Sequence, residues 1–382
     1  PRTRRIFDST LVTALRDTLR RVLDQAVRDS AFPGAYAVVG TSKGIIADHG
    51  AGRIDWAPDA PVPTASTIWD LASLTKVVSM TSAVASLVDR GLVDLDAPVR
   101  RYLPEFTGRG KERVTVRHLL THSSGLPSWR PLHKEADTPE ARRALVLATP
   151  LDTAPGVRYV YSDLGAITLG FLIERVAKQP LDEYVARRVF EPLGMHETRY
   201  RPDSSLLARI APTEIDPWRQ RHLRGEVHDE NAFALGGVSA HAGLFSTGHD
   251  LARLARMYLN GGTLGGRRFV AQRTLERFTS AQDTTISRRA LGWETPTGSN
   301  SAGRYLSPRA FGHTGFTGTS MWMDPERDLF VILLTNRVNP SRQNTRISRV
   351  RVALADAVVQ TVAAHGGTPR SGAAATSSSP PR

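Results

Sequence analysis

Cysteine is absent from the 382 residues. That removes disulfide frameworks, thiolate zinc sites, iron–sulfur clusters and thiol nucleophiles together, so a covalent nucleophile must be an oxygen or an amine. It leaves the compartment open, because exported proteins also lack disulfides. Lysine is nearly as scarce. Of 50 basic residues only Lys43, Lys76, Lys111, Lys134 and Lys178 are lysine, and the other 45 are arginine. Long hydrophobic runs are missing too. Leu329–Leu334 is among the longest and falls far short of the roughly 20 residues that span a bilayer, so no membrane span is expected. There is no G-x-x-x-x-G-K-[ST] phosphate loop and no internal repeat, and no cofactor is expected.

What the chain does have is positive charge, a net +13 at neutral pH. The arginines are scattered along the whole length. Their densest clusters, Arg2–Arg5 and Arg219–Arg224, lack the interleaved aromatics of a base-stacking surface, so nucleic acid is not expected as a partner. Hydrophobic residues at 40% are enough for a sizeable globular core. The sequence begins at Pro1 rather than at Met, and no leader segment can be read in it.

Apolar residues at helical spacing (Leu11, Leu15, Leu19, Val22, Leu23, Ala26) predict a helix over 8–29. Short β-prone runs on either side of Ser42-Lys43-Gly44 predict a hairpin. A long apolar helix follows from Ser73 to Val88, stopped by Arg90-Gly91. Residues 94–217 read mostly as helical pieces: 116–121, 140–148, 164–177 and 181–190. A further helix is expected at 250–259, strands at 291–294, 319–323 and 329–335, and a last helix at 350–362. The tail from Gly366 is low-complexity and reads as disordered. The resulting fold class is α+β, an antiparallel sheet flanked by helices with an inserted, mostly helical domain. The expected division is 1–93 with 236–365, sharing one sheet, and 94–235 as the insertion.

Three motifs carry chemistry. In Ser73-Leu74-Thr75-Lys76, a serine and a lysine three apart on a helix face lie one turn from each other. The apolar residues that follow would bury Lys76, lower its pKa and leave a neutral amine able to accept a proton. Tyr161-Ser162-Asp163 precedes a helix; Asp163 is a plausible N-cap, and a tyrosine hydroxyl beside a lysine can serve as a general base. His313-Thr314-Gly315, within FGHTGFTGT, places glycines and backbone N–H groups at a strand edge, where an oxyanion could be held. Gly40-Thr41-Ser42-Lys43-Gly44 matches a nucleophile elbow in letters, but a strand follows where the elbow needs a helix, so it reads as a hairpin tip. His118 and His122 have the spacing of a metal pair. No Glu follows His118 and no third ligand is evident, so they read as structural and no metal is expected. The polar, glycine-rich stretch 228–248 precedes a helix and has the character of a functional loop. His228, Asp229 and Asn231 are expected to approach the cleft and help select substrates.

In this order and spacing, the three motifs resemble those of serine β-lactamases and penicillin-binding proteins. The likeness is closest to the class C β-lactamase-like serine hydrolases, which include family VIII esterases and D-aminopeptidases. The segments 70–76, 116–126, 160–170, 244–257 and 312–337 are similar as well, so the resemblance spans about residues 10–362. It implies that Ser73 is acylated, Lys76 is its proton partner and Tyr161 is the base that also protonates the leaving group. Backbone N–H groups of Ser73 and Phe316 would form the oxyanion hole, with His313 and Gly315 at the head of the third motif. It also implies an extracytoplasmic setting and a small-molecule or peptidoglycan-derived peptide substrate. Two residues depart from the pattern. Asp163 stands where Asn is usual, and it can only accept hydrogen bonds or pair with Lys76. His313 stands where Lys is usual, and is largely neutral near pH 7. Both argue against efficient β-lactam hydrolysis and leave small esters and D-amino-acid amides or peptides. The alternative is a weak β-lactamase, or a penicillin-binding sensor that is acylated with little turnover.

Overall fold

The computed structural model describes residues 7–366, so Arg2–Arg5 and nearly all of the low-complexity tail lie outside it. Five helices position the site: α1 (Ser9–Arg28), α2 (Ser82–Asp89), α3 (Asp163–Ala177), α4 (Gly248–Leu259) and α5 (Ile347–Ala364). Five antiparallel strands form the main sheet: β1 (Gly34–Thr41), β2 (Gly44–Gly52), β3 (Phe311–Thr314), β4 (Ser320–Asp324) and β5 (Leu329–Thr335). Their order is β3-β4-β5-β1-β2, so strands from near the two ends of the chain interleave. β1 lies between β5, with Ala35 opposite Thr335, and β2, with Ala35 opposite Ala51.

The period-2 alternation of a strand explains why both faces of β1 are apolar. Ala35, Ala37 and Val39 pack with Leu15 and Leu19 of α1 and Leu354 and Val358 of α5. Tyr36 and Val38 belong to the opposite core, with Leu251 and Leu254 of α4. At the β1–β2 tip, the Asp328 carboxylate accepts the Ser42 N–H and O–H at 2.9 and 2.8 Å, so Ser42 is a turn residue.

That second core continues without a break into the middle of the chain, joining Val38 and Ile332 to Leu103, Leu120, Ile167 and Leu193. A small sheet stitches the same seam. Leu244–Ser246 pairs with Trp69–Asp70 on one side and Arg199–Tyr200 on the other. The strand expected at 291–294 does not form; Glu294 makes a single bridge to Gly312. Gly292, at φ +80°, turns the chain out of the extended conformation. No helix among the described residues is long and apolar enough to cross a membrane.

Candidate active site

From Thr67 to Leu87 every residue is buried except Ser73. The local backbone explains how it is presented. Strand Trp69–Asp70 ends in a 3₁₀ turn (Ala72–Leu74), followed by a π-helical turn (Lys76–Thr81) that leads into α2. The regular helix expected from Ser73 is therefore corrected. In a 3₁₀ turn residues three apart eclipse one another, which sets Lys76 directly by the serine. Buried Asp70 shapes the bend, its two oxygens accepting the N–H groups of Ala72 at 2.8 Å and His228 at 2.7 Å.

Lys76 donates to Ser73 Oγ and to the His241 carbonyl, both at 3.0 Å, and forms an ion pair with Asp163 Oδ1 at 2.7 Å. Two of the ammonium's three donors make hydrogen bonds, and the Asp163 carboxylate balances its charge. Burial pulls its pKa down, but the Asp163 carboxylate and the Tyr161 oxygen push it up further, and the balance is upward. This corrects the expectation of a neutral amine made by burial alone. The pairing with Asp163 decides the matter.

Asp163 is free to pair because it does not cap α3. Ser162, in extended conformation, takes the cap by accepting the Gly165 N–H at 3.1 Å, and Asp163 falls in the first helical turn. Tyr161 is clamped by rings and cations. The His122 ring lies 4.5 Å from it between centroids and that of His313 6.0 Å, while Lys76 Nζ is 4.9 Å and Arg289 5.3 Å from its centroid. His122 Nδ1 accepts the Ser162 N–H at 3.1 Å, and His118 forms a capping box with Thr115. The two histidines thus have separate structural partners.

β3 ends at the third motif. His313 Nδ1 donates to the Thr314 carbonyl at 2.8 Å, and burial, with Arg289 and Lys76 nearby, holds the ring's pKa well below the usual histidine value. Gly315 must be glycine: a Cβ there would lie 2.1 Å from Thr319 Oγ1 and 2.3 Å from the Leu71 carbonyl. The turn is stapled to the serine segment by Thr317 and Thr319, whose hydroxyls donate to Asp70 and Leu71 carbonyls at 2.7 and 3.0 Å.

Two cavities of about 400 Å3 open on either side of Ser73, Tyr161 and Phe316. The first is lined by His313, Gly315, Glu294, Arg289, Arg337 and Arg351. Arg289 pairs with Glu294 at 2.9 Å. Arg337 and Arg351 make no ion pair among the described residues and bind carbonyls instead: Arg337 that of Phe316 at 2.7 Å, Arg351 those of Gly315 at 2.6 Å and Thr319 at 2.8 Å. Burial pushes Arg351 down to about 10. The second cavity is lined by Asp163, His228, Asp229, Trp129, His133 and Arg342, among others. His228 bonds Glu214 at 2.9 Å and stacks on Phe316 at 5.7 Å.

Of the residues read from the sequence, Ser73, Tyr161, Asp163, His313, Gly315, Phe316, His228 and Asp229 line these cavities, and Lys76 lies directly behind Ser73. Asn231 does not line them. It is buried, accepting the His133 N–H at 3.1 Å and donating to the Arg130 carbonyl at 2.8 Å, so it braces the loop that carries Trp129. Arg289, Arg337, Arg351, Trp129 and His241 were missed. Nothing local marks three arginines among 45.

The Beta-lactamase family profile matches residues 19–355. Proteins from Salmonella agona and Salmonella typhi, provisionally named D-alanyl-D-alanine carboxypeptidases, are 33% identical over 321 residues, covering 75% of this chain and 73% of theirs. Among solved structures, a penicillin-binding protein homologue from Caulobacter crescentus superposes with a TM-score of 0.75 at 22% identity, over 92% of this chain and 97% of that one. A family VIII carboxylesterase superposes with a TM-score of 0.72 at 23% identity, over 91% and 97%. At that identity these structures speak for the fold alone. The chain belongs to the Beta-lactamase family and is a hydrolase of the serine type.

Proposed function

We propose that the chain hydrolyses small esters or D-amino-acid amides and peptides through an acyl-enzyme on Ser73. The observation that carries this reading is Ser73, the one partly accessible residue of a buried segment, hydrogen-bonded to Lys76, beside Tyr161 and between two cavities. Lys76 is held protonated, so it acts as a fixed positive charge on Ser73 Oγ, and the proton traffic falls to Tyr161. In acylation Ser73 Oγ bonds the substrate carbonyl carbon and its proton passes to the Tyr161 oxygen. The Tyr161 hydroxyl proton goes to the departing amine or alkoxide. Deacylation runs the relay in reverse: water bonds the acyl carbon as its proton passes to the Tyr161 oxygen, and the Tyr161 hydroxyl proton returns to Ser73 Oγ as the acyl–oxygen bond breaks. Backbone N–H groups of Ser73 and Phe316 receive the negative charge that develops on the carbonyl oxygen.

The cavity of Arg289, Arg337 and Arg351 suits a carboxylate on the leaving group, the task for which neutral His313 is poorly equipped. The named carboxypeptidase relatives point to D-alanyl peptides, and the extracytoplasmic setting belongs with that reading. Ser73→Ala should reduce hydrolysis of a p-nitrophenyl ester by at least about a thousandfold; retained activity would end the proposal. A second reading is favoured by one observation, the Lys76–Asp163 ion pair, which holds the ammonium's proton and keeps it from serving as a base toward water. On that reading a β-lactam acylates Ser73 and stays. Intact mass after a β-lactam pulse separates the two, since a sensor keeps the adduct and a hydrolase sheds it.

A further inference from the structure

The cavity on the Asp163 side carries two carboxylates, each with one oxygen left over. Asp229 caps the short helix Glu230–Ala234, and its Oδ1 accepts from the Ala232 N–H and from His241 Nε2, both at 2.8 Å. The Ser239 hydroxyl, 2.7 Å from His241 Nδ1, fixes that ring from behind. Asp163 Oδ1 is taken by Lys76. No hydrogen bond among the described residues reaches Oδ2 of either, and the side chains remain 25% and 20% exposed in the cavity that holds Ser73. Carboxylate oxygens only accept, so this wall asks its ligand for a donor.

Of its two lining cations, Arg342 is engaged, pairing with Glu214 at 2.6 Å and Glu230 at 2.7 Å, and Lys134 sits solvent-exposed at the rim. Trp129, 46% exposed, adds an aromatic face, which attracts cations. We propose that this cavity binds a protonated primary amine on the acyl part of the substrate, with Asp229 as its principal anchor. Combined with the arginine cavity across Ser73, the site then selects short zwitterionic acyl donors, an ammonium on one side of the scissile bond and a carboxylate on the other. That is the charge pattern of an unblocked dipeptide. The inference rests on the serine-hydrolase reading above and names its substrate class.

The test compares D-alanyl-D-alanine with its N-acetyl derivative, on the full chain and on Asp229→Asn. Asn still caps a helix and still accepts from His241, so the variant should fold. The wild type should favour the free amine at least tenfold in kcat/KM, and Asp229→Asn should lose most of that ratio through KM. Where neither dipeptide is turned over, the same ratio is read from their Ki against p-nitrophenyl acetate hydrolysis. Equal handling of the two by the wild type, or an unchanged ratio in Asp229→Asn, overturns the proposal. Ser73→Ala assayed alongside tells which reading failed. A dead Ser73→Ala with a flat amine ratio removes only the amine site, whereas an active Ser73→Ala removes the serine mechanism itself.

Discussion

The two cavities that meet at Ser73 are alike in volume and unlike in how their cations are matched. On the Asp163 side buried Lys76 and half-buried Arg342 each have a carboxylate within 3 Å, Lys76 with Asp163 and Arg342 with Glu214 and Glu230. On the His313 side Arg337 and Arg351 have only carbonyls. Burying a charge without a counter-ion is costly, and folds tolerate it mainly where a ligand completes the pairing. On the proposed reading the difference assigns the sides: one wall takes an anion, and the other has already neutralised its cations and keeps spare acceptors.

Removing a partner on the balanced side should hurt most. Asp163→Asn leaves the Lys76 ammonium buried and unpaired, at a cost of about 3 kcal/mol near neutral pH. The sign of its pH dependence is diagnostic. In the wild type Lys76 sits above the ordinary lysine value, so its contribution is present throughout the neutral range and is lost only as the pH rises through that elevated value. In Asp163→Asn, burial is left as the leading influence and the value falls below the ordinary one. The unfolded chain then binds more protons than the folded one on the alkaline side, so stability rises with pH there. The Tm gap between the two proteins should narrow between pH 7 and 10; a constant gap would refute the pairing.

Next in size, Gly315→Ala forces a methyl group into Thr319 and Leu71, which should cost about 2 kcal/mol and lower turnover of every acyl donor by moving Phe316. A Tm and an ester kcat unchanged from wild type would show that the turn yields without effect. Arg351→Met tests the unmatched side. Discrimination between a carboxylate-bearing acyl donor and its amide-blocked analogue should fall about tenfold, equivalent to about 1.4 kcal/mol. If both substrates decline equally, Arg351 only holds the turn. The smallest effect belongs to Trp129→Ala, about threefold in KM for amine-bearing donors against about none for acetylated ones.

The apolar runs of β1 and β5 and the stripe along α1 were legible because both faces of those strands are buried and the helix repeats every turn. Strand 291–294 was misread because left-handed Gly292 outweighs the favourable side chains of Leu291 and Trp293 on either side of it. Lys76 shows a different limit. Its burial follows from the apolar residues after it, but its protonation depends on Asp163, 87 positions away. That depended in turn on which of two adjacent capping residues, Ser162 or Asp163, took the helix end. The motif residues stand out by type and order, whereas Arg337 and Arg351 have meaning only through the carbonyls they reach. Such long-range choices leave no local pattern.

Arg351 also imposes an order of events on the living molecule. It comes from α5, the last helix described, and grips the turn that presents Phe316 to a serine translated nearly three hundred residues earlier. Through most of its synthesis the proposed nucleophile exists without half its surroundings. A nascent chain stalled before α5 should be blind to acylating reagents, and competence should appear abruptly once that helix docks, so the enzyme is armed only when it is complete.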